Sequence, residues 1–150
     1  MESEFKRAKA LVEDVIRGLG VDPAKALAKE DAEQSMWTLR RGSAPILITL
    51  GARPGPPAGE IRTFLRVASP VLTIPEGSNE PLFRHLLELN AAGLANAAFG
   101  IIDQRVVAVS ERPTEDLQKG EIDQIVRHLA AVADTYDDRL KAQFGAPRPT

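Results

Sequence analysis

Apolar residues recur at three- and four-residue steps through Phe5, Ala8, Leu11, Val12, Val15, Ile16 and Leu19, with Lys6, Lys9, Glu13 and Arg17 between them. That spacing predicts an amphipathic helix, with Ser3 a candidate N-cap and Gly18 or Gly20 near its end. "VDPAKALAKED" reads as a short helical turn opened by Asp22 and Pro23. The period then changes to two. Trp37 and Leu39 alternate with Met36, Thr38 and Arg40, and Ile46, Ile48 and Leu50 with Leu47 and Thr49, which predicts a hairpin about "RGS". "GARPGPPAGE", residues 51–60, holds three prolines and three glycines in ten residues and predicts a loop, because proline cannot donate to a strand ladder. "IRTFLRVASPVLTI" predicts a third strand that ends or bends near Pro70.

A loop, "PEGSNEP", leads into a helix over residues 80–90, with Asn79 as N-cap, Pro81 in the first turn and Phe83, Leu86 and Leu87 on one side. Two readings of Asn90 stand side by side. It closes the helix, since asparagine tolerates the left-handed conformation and Gly93 lets the chain reverse. Alternatively, its amide pins the following strand by hydrogen bonds. "AAFGIIDQRVVAVSE" predicts a second hairpin with a two-residue turn at Asp103 and Gln104. Pairing across that turn puts Phe99, Ile101, Val106 and Ala108 on one face, and Gly100, Ile102, Val107 and Val109 on the other. A long helix follows, carrying Ile122, Ile125, Val126, Leu129, Val132, Ala133, Tyr136 and Leu140 to about Phe144. Residues 145–150, "GAPRPT", read as a flexible tail. The order is helix, three strands, helix, two strands, helix. It predicts one α+β domain over residues 1–144, with an antiparallel sheet and helices packed on it.

Composition adds limits. The chain has 150 residues, 43% hydrophobic and 27% charged, with a net charge of -2 and no cysteine. Disulfides, thiolate metal sites and cysteine nucleophiles are thereby excluded, and a reducing cytoplasm is the expected location. Neither a signal peptide nor a membrane span is expected, since no apolar run is long enough. Aromatic residues make up only 5%, so the core must be mainly aliphatic.

The order of elements resembles the fold of type III secretion chaperones. More closely, "MWTLRRGSAPILITL", "LLELNAAGLANAAFGIID", "RVVAVSERP" and "VRHLAAVADTYDDRL" resemble the YbjN family, the bacterial sensory transduction regulators. With the first helix these pieces span most of the chain, and the second is the most characteristic. The resemblance implies a homodimeric or partner-binding domain without known catalysis, and it brings no catalytic residue.

Chemistry is sparse elsewhere. His85 and His128 lie in different helices, too few for a zinc site, and no metal or other cofactor is expected. Asp134, Asp137 and Asp138 could hold Mg²⁺, but a solvated acidic face accounts for them more simply. No serine lies in a G-x-S-x-G setting. "GLGVDP" follows a helix and lacks the third glycine of a dinucleotide loop.

Surfaces are more informative. Arg40, Arg41, Arg53, Arg62 and Arg66 face one acid, Glu60, in residues 40–66, a local charge of +4, whereas residues 111–138 carry -5. An uneven field of this kind suits docking to protein. The expectation is a non-catalytic protein-binding module, regulator or chaperone-like, with Met36, Leu47, Arg62, Phe64 and Arg66 receiving a protein or peptide. Because both faces of the second hairpin are apolar, Ile102, Val107 and Val109 are expected to meet a second subunit, unless the last helix covers them. The alternative is a single-stranded nucleic-acid binder that stacks bases on Phe64 between Arg62 and Arg66. A small enzyme of unknown reaction comes third.

Overall fold

The computed structural model describes residues 2–55 and 59–144. Pro56, Pro57 and Ala58 of the proline-rich stretch and the tail at 145–150 lie outside the described residues. Helix α1 spans Glu2–Gly18 and α2 spans Pro23–Ala26, followed by strands β1 (Leu27–Glu30), β2 (Gln34–Arg41), β3 (Ala44–Gly55) and β4 (Glu60–Thr73). Helix α3 (Glu80–Ala92), strands β5 (Ala98–Ile102) and β6 (Arg105–Pro113) and helix α4 (Lys119–Phe144) complete the chain. The strands form a single antiparallel sheet in the order β1-β2-β3-β4-β6-β5. This is the α+β architecture expected from the sequence, with one strand added.

The inner face of the sheet is set by the period-two pattern. Trp37, Ile48 and Val67 stand in register across β2, β3 and β4, and Ser35, Leu50 and Leu65 form the next row. All six are buried. Against them pack Ala8, Val12, Val15 and Ile16 from α1, and Ile122, Val126, Leu129, Ala133 and Leu140 from α4. At the far side Phe99 meets Tyr136 of α4 edge to face, ring centroids 5.3 Å apart.

The N-terminal turn of α1 is tied down by polar bonds. Arg7 donates to the Glu4 carboxylate at 2.9 Å and to the Thr114 carbonyl at 2.8 Å, and the Thr114 hydroxyl donates to Glu4 at 2.6 Å. The Arg7 hydrogen bond holds the Glu4 carboxyl below its ordinary pKa, against the opposing effect of burial and with help from Thr114.

Several sequence expectations need correction. β1 falls where only a helical turn was expected after Asp22, although Asp22 does cap α2 through Ala24 N–H. Leu27–Glu30 offers no alternation, and three of its four residues are exposed, so tertiary pairing with β2 overrides local preference. The stretch read as a loop from Gly51 is strand as far as Gly55, and Glu60 already belongs to β4. Pro54 is tolerated there because β3 has outrun β2, whose pairing stops at Gly51, and has a neighbour on one side only. Of the two outcomes expected at Pro70, ending or bending, the second holds: β4 shifts register between Pro70 and Leu72, a bulge that relieves the missing donor. Ser3 lies inside α1 and does not precede it. Asn79 stands at the N-cap of α3, yet its amide donates to the carbonyls of Pro75 and Gly77 and caps nothing.

Asn90 resolves in favour of its second reading. The helix continues past it to Ala92 and is closed by Gly93, at φ +95°, whose N–H donates to the Leu89 carbonyl. The Asn90 amide meanwhile grips β5 at Phe99, donating to its carbonyl at 3.1 Å and accepting from its N–H at 2.8 Å. Leu86 faces the core from the same helix, whereas Leu87 points to solvent. Asp103 and Gln104, both at positive φ, form the two-residue turn of the β5–β6 hairpin as expected.

Replacing Asn90 by alanine removes two hydrogen bonds and leaves both Phe99 backbone groups unpaired. Urea unfolding should show a loss of about 2–3 kcal/mol. Asn90→Asp keeps the acceptor but sets a carboxylate against the Phe99 carbonyl, and should lose at least as much.

Candidate functional site

Every strand residue in the hydrophobic core lies on the helix-bearing side of the sheet or at the Pro70–Leu72 bulge. Side chains on the opposite side are therefore not covered by α1 or α4. Register arranges them in rows. Thr38, Leu47, Ala68, Val109 and Ala98 cross five strands as a mostly apolar row. Met36, Thr49, Arg66 and Glu111 form the next, and Gln34, Gly51, Phe64 and Pro113 the one after. Arg53 opposite Arg62 follows where β3 and β4 run on alone.

All the residues singled out from the sequence belong to this one open face. Met36, Leu47, Arg62, Phe64 and Arg66 occupy its β2–β4 half, and Ile102, Val107 and Val109 its β5–β6 half. What read as two surfaces is one continuous field, basic at one end and apolar at the other. The last helix does not cover Val107 and Val109, because α4 packs against the other side.

The two halves differ in how much apolar area remains. Val107 is only 7% exposed in the single chain, without joining the main core, so a partner gains little there. Ile102 is 43% exposed. Phe64 is likewise only 8% exposed, for a specific reason. Arg53 reaches from β3 across β4, placing its guanidinium 4.1 Å from the centre of the Phe64 ring, and its far end pairs with Glu111 on β6. The arginine is thus a strap over the aromatic ring. A nucleic-acid base cannot stack on that face of Phe64 without displacing it. Arg62 pairs with Glu115 at 3.2 Å.

Two features escaped the sequence reading. Glu111 was counted only as part of an acidic stretch, and its place opposite Arg66 depends on strand order. Leu87, 69% exposed, lies with Phe83 and Ala91 on the outer side of α3, beside Glu80, Arg84 and Glu88. The i, i+4, i+8 spacing of those three was visible, but it competed with the buried stripe of Leu82 and Leu86.

The histidines and aspartates have ordinary roles. His128 Nε2 meets the Leu94 carbonyl at 2.6 Å, His85 packs on Phe144, Asp134 accepts from the Ser43 hydroxyl, and Asp137 pairs with Lys141. Among the described residues no cluster of carboxylates and imidazoles is placed to hold a metal ion, and no helix is long and apolar enough to cross a membrane.

The model of the peptide-binding chaperone family TY-Chap1, which groups type III secretion proteins (YopN, CesT) with YbjN, matches residues 6–148. The chain belongs to this family. Solved structures agree with the TY-Chap1 assignment at the level of fold. A chain of the HopA1–SchA chaperone–effector complex aligns with a TM-score of 0.61 at 16% identity, covering 92% of this chain and 98% of that one. For the ExsC–ExsE complex the TM-score is 0.63 at 17% identity, with 90% and 94% covered. For the heterodimeric ExoU–SpcU complex from the type III secretion system of Pseudomonas aeruginosa it is 0.57 at 12% identity, with 85% and 95% covered. No curated protein sequence matches the chain. The type III secretion chaperone fold and the YbjN kinship expected from the sequence both hold.

Within this TY-Chap1 protein the strap depends on a glycine. A Cβ on Gly55 would lie 2.6 Å from Cζ of Phe64. Gly55→Ala must therefore move the ring, and should cost about 1–3 kcal/mol in urea unfolding, as overpacked sites do. Gly59→Ala is a poor control because of its positive φ; Gly100→Ala, which meets nothing within 4 Å, should be milder.

Proposed function

We propose that this protein is a non-catalytic, chaperone-like peptide binder that holds an extended segment of a partner protein on the open face of its sheet. One observation carries the reading: the helices pack on one side only, so Leu47 stays part-exposed on the open face, beside the small Ala68 and three arginines. Membership of a peptide-binding family supports it. So do the similar solved structures, which come from a chaperone–effector complex and two further two-protein complexes. The work is recognition by a preformed surface, with no bond made or broken. The reading places the protein in the cytoplasm, which the absence of cysteine suits.

The same reading makes the protein a homodimer. Ile102 and Val109 offer uncovered apolar surface near the β5 edge, whereas Val107 offers almost none. On the adjoining helix α3, Leu87 leaves most of its side chain in water, and full burial of such a residue stabilises by roughly 1.5–3 kcal/mol. We assign the subunit contact to this β5–α3 flank. That leaves the β2–β4 half of the open face free for the partner segment.

Two measurements test these statements. On an array of extended peptides, Leu47→Glu should lose at least about tenfold in affinity for whatever segments the wild type binds, since it sets a charge in the apolar row. Unchanged binding with an intact circular dichroism spectrum would remove the open face from the account. In sedimentation, the wild type should be dimeric at high micromolar concentration, and Leu87→Glu and Ile102→Glu should each shift it towards monomer. A wild type that stays monomeric would end the dimer proposal.

A further inference from the structure

Arg66 and Glu111 face each other across β4 and β6, an arrangement in which opposite charges ordinarily pair. They do not pair here. Glu111 is taken by Arg53, which reaches it over the Phe64 ring. Arg66 makes no hydrogen bond or ion pair among the described residues, although its neighbours Arg53 and Arg62 both do. Arg66 lines a hollow of about 420 Å³ together with Thr49, Gly51, Phe64 and the mutually paired Arg53 and Glu111. Asp31 and Glu33 line the same hollow.

Next to this hollow runs the apolar row of Leu47, Ala68 and Val109. Arg66 is two residues from Ala68 on one strand, about 6.6–6.8 Å along it. That is also the spacing between alternate side chains of an extended peptide lying along the strand. A peptide that sets an apolar side chain on Leu47 and Ala68 therefore brings the side chain two positions away over Arg66. An acid there gains a charge-assisted hydrogen bond from an arginine that has no other partner among the described residues. A run of acids does not gain further, because Asp31 and Glu33 repel the second charge.

Resting on the peptide-binding reading above, we propose that the open face selects extended segments in which an apolar residue and a single Asp or Glu are two positions apart, with Arg66 reading the acid. The contact is specific in spacing and in number of charges, which separates it from general attraction to anions.

Fluorescence anisotropy with labelled peptides of one scaffold tests this. The peptides carry Leu-x-Glu, Leu-x-Gln, Leu-x-Lys or a run of glutamates. The Leu-x-Glu peptide should bind about tenfold tighter than Leu-x-Gln, with Leu-x-Lys weakest and the glutamate run no better than Leu-x-Glu. The advantage should shrink as salt is raised. It should vanish in Arg66→Ala and turn towards lysine in Arg66→Glu, both with wild-type circular dichroism. Equal affinity for the Glu and Gln peptides, or a preference that survives Arg66→Ala, overturns the assignment of Arg66 and leaves general peptide binding standing. Failure of every peptide to bind overturns both. Displacement of the Leu-x-Glu peptide by single-stranded DNA, lost in Arg66→Ala, would give the arginine to phosphate and overturn the proposal as well.

Discussion

The burial of Trp37, Ile48 and Val67 beneath α1 and α4 decides the direction of the remaining side chains of the sheet. Side chains on a strand alternate, so once these three point at the helices, Met36, Leu47, Arg66 and Ala68 must point away. A slip of one residue would move the whole core into water and the arginines into the interior. The open face is thus a necessary by-product of the core. Its content is freer to vary than that of the inner face, because its side chains lie outside the main core cluster. Here it carries an apolar row and a cluster of arginines where a purely solvated sheet would carry neutral polar residues.

The fold was legible in the sequence wherever periodicity was strong. α1, the β2–β3 hairpin, the β5–β6 hairpin and α4 all fall where Val15, Ile48, Val106 and Leu129 and their spaced neighbours put them. β1 was not legible, because Leu27–Glu30 has neither alternation nor burial to announce it and becomes a strand only by pairing with β2. The proline-rich stretch misled for a related reason. Pro54 looked like a strand breaker, and is one only where both sides of a strand need donors.

The site was legible as a list but not as an arrangement. Arg62, Phe64 and Arg66 share a face by simple alternation, and that much followed from the sequence. Nothing local says that Glu111 lies opposite Arg66, that Arg53 crosses β4 to claim it, or that Phe64 is thereby closed to a stacking base. Those facts depend on β4 pairing with β6, two elements separated by a helix and another strand. Val107 shows the same limit from the other side. Its neighbours in the chain suggested exposed surface, whereas its surroundings in the assembled sheet already shelter it.

The two margins of the sheet are unlike. β1 is four residues long, broken by a register irregularity and lined with Lys29 and Glu30, features that blunt a strand against joining another chain. β5 is blunted differently: Asn90 of α3 occupies the N–H and carbonyl of Phe99, while Ile101 and Ile102 beyond it are both turned to water. Each margin is thus shielded in its own way, one by brevity and charge and the other by a helix side chain, so neither offers a long bare ladder for edge-to-edge growth.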